Sequence, residues 1–262
     1  MSKRPLILVS NDDGIHAPGI HTLAEEMSEF AEIYMVAPHK ERSGYSHCLT
    51  ISRPLRVVQL DSKPYCQQIY EVDGTPTDCV KIALDKLLPR KPDWVLSGIN
   101  RGGNLGTDTL YSGTVAAAME GILNGCKGMA ISSHGRRIEK EHYRTAATVA
   151  QSLFLNQEIA TLNHQFILNI NSPAVSVEDL RGVKVASLGK RIYDDTYTEK
   201  QDPRGNPYYW IGADSHRSED IPGSDCNYVE QGYATVTALR PSFIDESINI
   251  ALQKNISHIT QA

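Results

Sequence analysis

The stretch that most constrains this chain is Leu6-Ile7-Leu8-Val9-Ser10-Asn11-Asp12-Asp13-Gly14. Four apolar residues in a row read as a short strand buried on both faces, the pattern of a parallel sheet. The run stops in a polar turn with two adjacent carboxylates and a glycine. In open α/β sheets, ligands bind at the carboxyl ends of the strands, which is where this turn falls. Adjacent acids repel unless a positive charge sits between them, and hard divalent ions prefer oxygen ligands. An ordinary Asx-rich turn explains the same residues equally well.

Downstream, Pro18 suits a first helical position, and Ile20, Leu23, Ala24 and Met27 give one apolar helical face. Glu32 to Ala37 reads as the second strand, so a right-handed β-α-β crossover and a parallel pair are expected. The loop His39–His47 then emerges on the same edge as Asp12 and Asp13, with Lys40 or Arg42 for charge and Ser43 for a hydroxyl contact. A solvated loop is the plainer reading of it. Cys48–Ile51, Leu55–Leu60 and Gln67–Val72 read as an antiparallel excursion from the main sheet. Thr75 with Asp78 forms a capping box and Pro76 the first helical residue. Val80, Ala83, Leu84, Leu87 and Leu88 line one helix face, which Pro89 ends.

Asp93–Gly98 is another buried strand, followed by Asn100-Arg101-Gly102-Gly103-Asn104-Leu105-Gly106. Ser112-Gly113-Thr114 opens a helix through Val115, Ala118, Met119 and Ile122. Glycines allow close approach of backbone N–H groups to a ligand, and a helix start favours an anion. A plain N-cap role for Ser112 competes with this. The pattern is neither GxGxxG nor GxxxxGK[ST], so a dinucleotide fingerprint and a Walker P-loop are both unsupported. Asn100, at a third strand end, could complete a metal's shell or serve as a turn residue. Gly128–Ser133 reads as a strand, Glu139–Gln157 as a helix and Phe166–Ile170 as the last strand of the main sheet. Val183–Leu188 and Tyr233–Leu239 read as later strands, separated by an extended Pro/Gly/Tyr-rich loop around Asp202–Trp210. A helical pattern runs from Phe243.

With 262 residues the chain suits one large domain, and its net charge of −5 argues against a broad nucleic-acid surface. Five widely spaced cysteines, none in a CxxC pair, suit reduced thiols in the cytoplasm. No apolar run reaches the ~20 residues of a membrane span. His39, His47 and His134 lie near strand ends, and each is more simply structural.

Taken together, SNDDG at Ser10–Gly14, APHKERSG at Ala37–Gly44, VDGTPTDCV at Val72–Val80 and SGINRGGNLGTDTLYSGTVAAAMEG at Ser97–Gly121 resemble the SurE family of stationary-phase survival proteins. DPRGNPYYW at Asp202–Trp210 and GYATVTAL at Gly232–Leu239 are similar to its C-terminal part. Cys48 stands where a small hydroxyl residue is more usual. The resemblance implies a single α/β domain, a three-layer sandwich with a mainly parallel Rossmann-like sheet. Its core would span about 1–180, with a C-terminal β-hairpin and helix extension over about 181–262. That extension would be exchanged between subunits of a homodimer or homotetramer.

The resemblance further implies one divalent cation per subunit, magnesium or manganese, on Asp12, Asp13, Ser43 and Asn100. Asn104, Ser112, Gly113 and Thr114 would receive the phosphate of a nucleoside 5'-monophosphate, or of a 3'-monophosphate. Catalysis would be hydrolysis by metal-activated water, with Asp12 or Asp13 as base. Neither a nucleic-acid polymer nor a membrane is an expected partner. A covalent aspartyl-phosphate route fits poorly, because its usual pattern is Asp-x-Asp. A metal-dependent deacetylase fits poorly too, since Asn11 precedes the acidic pair where that chemistry uses a histidine. A nucleotide-sensing protein without turnover is the non-enzyme alternative.

Overall fold

Every residue of Leu6–Ser10 is buried, as a strand with sheet neighbours on each side and helices on each face requires. The computed structural model describes residues 4–163, 165–193, 196–212, 217–242 and 244–256. In chain order the elements begin β1 (Leu6–Ser10), α1 (Pro18–Met27), β2 (Glu32–Pro38), β3 (Val57–Leu60), β4 (Gln68–Val72) and α2 (Pro76–Ile82). They continue as β5 (Trp94–Arg101), α3 (Gly113–Leu123), β6 (Lys127–His134), α4 (Lys140–Leu155), α5 (Gln157–Thr161) and β7 (Ile167–Pro173). The last third carries β8 (Val183–Val185), β9 (Arg191–Ile192), β10 (Thr196–Gln201), β11 (Pro207–Gly212) and β12 (Arg217–Ser218). Then come α6 (Asp225–Glu230), β13 (Ala234–Leu239) and α7 (Glu246–Ile256).

A nine-stranded sheet runs in the order β3-β4-β2-β1-β5-β6-β7-β13-β8. The strands from β4 to β7 are mutually parallel, whereas β3 and β13 pair antiparallel with their inner neighbours. Alternation along β1 builds the layers. Ile7 and Val9 join Ile20, Leu23, Met27, Tyr143 and Ala146 on the face covered by α1 and α4. Leu8 points the other way, to Cys79, Val80 and Ala117 on α2 and α3. The result is a three-layer α/β/α sandwich whose parallel strands all end on one edge.

Local signals are met closely. Pro18 is the first residue of α1. The Thr75 hydroxyl accepts from Asp78 N while the Asp78 carboxylate accepts from Thr75 N, the full capping box at the start of α2. This helix is shorter than the apolar pattern suggests: after Ile82 the chain widens into a π-turn over Ala83–Leu87. The expected Glu139–Gln157 helix is α4, which Asn156 ends, and the Asn156 side chain then caps the separate α5 through Ile159 N at 3.1 Å.

The departures lie in long-range pairing. Cys48–Ile51 is not a strand. Its backbone is satisfied by side chains of the α2 start, Cys48 O by the Thr75 hydroxyl and Thr50 N by the Asp78 carboxylate. The Gln68–Val72 segment is no excursion either, since it pairs parallel with β2. Nor does β7 end the sheet: β13 covers its open edge from Thr235↔Asn171 to Leu239↔Ile167, and β8 then adds to β13. The region around Asp202–Trp210 is a hairpin rather than an open loop, with β10 paired to β11. Asp202 closes its turn by accepting from Arg204 N and Asn206 N. Phe243, where the last helical pattern was expected to begin, lies outside the described residues; α7 starts at Glu246.

Candidate active site

The turn after β1 is held by its own side chains. Asn11 accepts from Gly14 N at 3.2 Å and donates to Gly14 O at 2.9 Å, while Gly14 adopts φ +100°. This fixes Asp12 and Asp13 at the sheet edge. Asp12 is 4% exposed, and its Oδ1 accepts a 2.5 Å hydrogen bond from the Thr114 hydroxyl in the first turn of α3. Its carbonyl accepts from Arg42 N, which ties the 39–47 loop to the same turn. Gly113 lets α3 come this close. A Cβ there would lie 2.9 Å from Asp12 Cβ and 3.0 Å from Asp12 Oδ2.

Burial raises the Asp12 carboxyl pKa to about 6, opposed by the Thr114 hydroxyl and reinforced by the charge of Asp13. Burial also raises Asp13, which Glu41 reinforces and Arg101 N, donating to Asp13 Oδ2 at 2.9 Å, opposes. Two acids are thus held side by side, and among the described residues no Lys, Arg or His forms an ion pair with either. Such a pair fits a hard cation, and the further donors nearby are oxygens of the right kind. Asn100 donates through Nδ2 to Gly102 O at 2.8 Å, which leaves its amide oxygen available. Ser43 is exposed and donates to Glu41 Oε1 at 2.9 Å, so its oxygen lone pairs remain open. Among the described residues no group of three or more His, Cys, Asp or Glu could hold a metal ion. A cation here would depend on the Asn and Ser oxygens as well as the two carboxylates.

Asp12, Ser43, Asn100, Asn104 and Ser112 line one cavity of about 220 Å³. Asp13, Gly113 and Thr114 stand outside its wall. The hydroxyl of Thr114 is spent on Asp12, and Ser112 accepts from Val115 N at 3.0 Å as the N-cap of α3. Asn104 is the most constrained residue of the group. Its N–H donates to Asn171 Oδ1 at 2.8 Å, and its carbonyl accepts from Asn169 at 2.9 Å and from Asn171 at 3.1 Å. Its own amide donates to the Ser132 hydroxyl at 2.8 Å. Buried asparagines of β7 therefore clamp the Asn104 loop onto the sheet edge.

Other wall residues were invisible to spacing arguments. Asp108 and Tyr193 line the cavity, and Arg191 Nε lies 3.3 Å from Asp108 Oδ2. Burial, together with the Asp108 carboxylate, pushes the Tyr193 hydroxyl up to about 12. Behind them, fully buried Asp225 accepts from Gly106 N, Gly189 N and Cys226 N at 2.7 to 2.8 Å. No local motif marks Arg191, Tyr193 or Asp225, because they reach the site from far along the chain, whereas Asp108 lies within the Ser97–Gly121 stretch. Among the cations expected of the 39–47 loop, Arg42 is turned onto Tyr45. His39, His47 and His134 are not on the cavity wall.

Comparison with known proteins finds relatives that match most of the chain. The family described as Survival protein SurE matches residues 7–195. A 5'-nucleotidase SurE of Legionella pneumophila (strain Lens) is 46% identical over 233 residues, covering 89% of this chain and 90% of that protein. One from Geotalea uraniireducens is 42% identical over 248 residues, covering 95% and 98%. The SurE protein of Aquifex aeolicus, a crystal structure, superposes with a TM-score of 0.81 at 35% identity, covering 98% of this chain and 100% of that one. On its sequence, its fold and the extent of these matches, the chain belongs to the SurE family.

Proposed function

We propose that the chain is a metal-dependent 5'-nucleotidase that hydrolyses nucleoside 5'-monophosphates, with 3'-monophosphates as the alternative substrates, to nucleoside and phosphate. The observation that carries this reading is the buried Asp12 carboxylate, set beside Asp13 and held against the start of α3 by Thr114. The relatives named 5'-nucleotidase SurE support the same activity. We assign the cation, magnesium or manganese, one per subunit, to Asp12, Asp13, Ser43 and Asn100. When bound, it would neutralise charge on the phosphate and activate water.

The chain's own groups do the rest. The N-terminus of α3 turns the positive end of its dipole toward the phosphate, and the Ser112 hydroxyl, which accepts from Val115 N, still has its own proton to donate. Asn104, locked by Ser132 and the β7 asparagines, offers a preorganised amide to another phosphate oxygen. A carboxylate oxygen of Asp12 or Asp13 takes the proton of the attacking water. As the water oxygen bonds to phosphorus the ester P–O bond breaks, the leaving oxygen takes a proton from solvent to give the nucleoside alcohol, and the carboxylic acid returns its proton to solvent.

Two features bear on the setting. All five cysteines are free thiols, which supports a reducing, cytoplasmic compartment. Among the described residues no helix is long and apolar enough to cross a membrane. Exposed Tyr197, Tyr209, Trp210 and Ile211 on the β10–β11 hairpin, with Ile248 and Leu252 on α7, support a homodimer or homotetramer joined through these elements.

The test is phosphate release from a panel of nucleoside monophosphates, after chelation and then with Mg²⁺ or Mn²⁺ restored. Release should vanish with chelator and return with one cation, and Asp12→Asn should lower kcat by about 10²–10³-fold. Nucleotide binding without release from folded, metal-loaded protein would replace this reading with a sensor.

A further inference from the structure

The loop that follows β2 brings Ser43 to the site without burying any of its own residues. Positions 39–50 are exposed or half-buried throughout, so hydrogen bonds rather than apolar packing must set the place of the loop. Those bonds fall at its two ends. At the front, His39 N donates to Val72 O at 2.9 Å and Arg42 N to Asp12 O at 2.7 Å. At the rear, Ser46 N donates to Tyr111 O at 3.0 Å and its hydroxyl to Leu110 O at 2.7 Å, where the 3₁₀ turn Gly106–Leu110 ends. Behind Ser46, Cys48 O and Thr50 N are tied to the start of α2. Ser43, Gly44 and Tyr45 span the gap between the two ends. Ser46 itself adopts φ +51°, a left-handed conformation that a residue other than glycine keeps only where its surroundings impose it.

The next residue, His47, reaches the middle of α3, where its Nε2 meets Glu120 Oε2 at 2.9 Å. Glu120 is prepared to receive it. The side chain is buried, and its other oxygen, Oε1, takes Lys81 Nζ at 3.1 Å and Asn124 Nδ2 at 2.9 Å. A buried carboxylate with one oxygen filled needs a donor on the second as well. Its pKa is lowered to about 2, so at neutral pH Glu120 only accepts and His47 Nε2 is the donor.

Helix α3 therefore reaches the cation site by two arms. Its first turn holds Asp12 through the Thr114 hydroxyl, and about two turns on, Glu120 holds the rear of the Ser43 loop through His47. Arg42 N on Asp12 O closes the circuit. Both arms spring from one rigid helix, so α3 sets the separation of Asp12 and Ser43.

We propose that His47 is a positioning residue for the cation site: anchored on Glu120, it holds the loop where Ser43 can serve as a ligand beside Asp12. The proposal rests on the cation assignment above. His47 stands off the wall of the small cavity, so it acts through Ser43 rather than on the substrate. Outer partners that orient metal ligands carry about 10–100-fold in metal affinity, which sets the size of the expected effect.

The experiment is calorimetric titration of the full chain with Mn²⁺, with the Mn²⁺ dependence of phosphate release and a thermal melt measured beside it. His47→Ala should weaken Mn²⁺ binding by about tenfold or more, and His47→Gln, whose amide can donate to Glu120, should keep most of the affinity. At saturating Mn²⁺ the kcat of His47→Ala should return close to that of wild type, because the ligands themselves are intact. In a Ser43→Ala background, His47→Ala should cost no further Mn²⁺ affinity, since the residue it positions is gone. A purely structural role predicts instead a lower melting temperature with wild-type Mn²⁺ affinity, and that result would overturn the proposal. So would an equal loss of affinity in both backgrounds, or a His47→Gln variant as weak as His47→Ala. A wild type that binds no Mn²⁺, or an Asp12→Asn variant that binds it as wild type does, would overturn the cation assignment itself and the positioning role with it.

Discussion

Asp12 combines two demands that usually conflict, a buried position and, in the proposed reaction, a charge-bearing role. Burial alone favours its neutral form, and the Thr114 hydroxyl only partly offsets that. The close approach of α3 gives the carboxylate that partner, and a glycine at position 113 makes the approach possible. Replacing Gly113 with alanine would favour the helix by as much as ~1 kcal/mol on propensity alone. The added Cβ, however, would meet the Asp12 side chain and the Pro76 ring at 2.9 to 3.1 Å. We expect Gly113→Ala to lower kcat at least about tenfold, since small displacements of a positioned group are costly, while the protein stays folded. Phosphate-release kinetics beside a thermal melt check this. A variant with full activity would mean that Asp12 need not sit where α3 holds it.

At the scale of elements, α3 carries a charged network as well as the site. Glu120 is buried on it and accepts from His47 at 2.9 Å, Lys81 at 3.1 Å and Asn124 at 2.9 Å. This joins the 39–47 loop, α2 and α3. The His47 hydrogen bond, with Lys81 and Asn124 behind it and burial opposing, lowers the Glu120 pKa from 4.5 to about 2. A carboxylate with a depressed folded pKa adds stability above its unfolded value and loses it as the pH falls toward the folded one. The contribution, on the order of 2–3 kcal/mol, should be present above pH 4.5 and fade between there and pH 2. Denaturant melts across that window should therefore show wild type losing more stability than Glu120→Gln, and starting higher at pH 7. Parallel acid limbs for the two proteins would remove Glu120 from the account. Elements whose determinants are local were legible from residue order alone: the β1 strand and turn, the Thr75–Asp78 box, the Ser112 cap. Cys48–Ile51 and the Asp202 hairpin were not, because side chains that donate to or accept from their backbone set their shape, and period and propensity do not encode those partners.

Across the whole molecule, the least legible relation is the one between the last third of the chain and the site. Strand character at Tyr233–Leu239 can be read from its alternation, but its place against β7 cannot, since the pairing closes a loop of more than sixty residues. Through that pairing the segments around Arg191, Tyr193 and Asp225 arrive beside Asp108 and Gly106. Asp225 is the point at which the two parts are pinned. Its Oδ2 takes Gly106 N, and its Oδ1 takes Gly189 N and Cys226 N, so both oxygens are committed and neither can become a donor without loss. Asp225→Asn keeps the shape but turns an NH₂ toward one of these N–H groups, leaving a buried donor unpaired at a cost of about 1–3 kcal/mol. If the amide faces Gly106, the 3₁₀ turn Gly106–Leu110 loses its anchor, and kcat/KM for a nucleotide should fall about tenfold or more. If it faces Gly189 and Cys226, the stability loss should appear with activity nearly intact. Melting curves and kinetics on the one variant distinguish these outcomes. Unchanged stability and activity together would mean that the turn is held by its own hydrogen bonds, and that the C-terminal third merely lies alongside it.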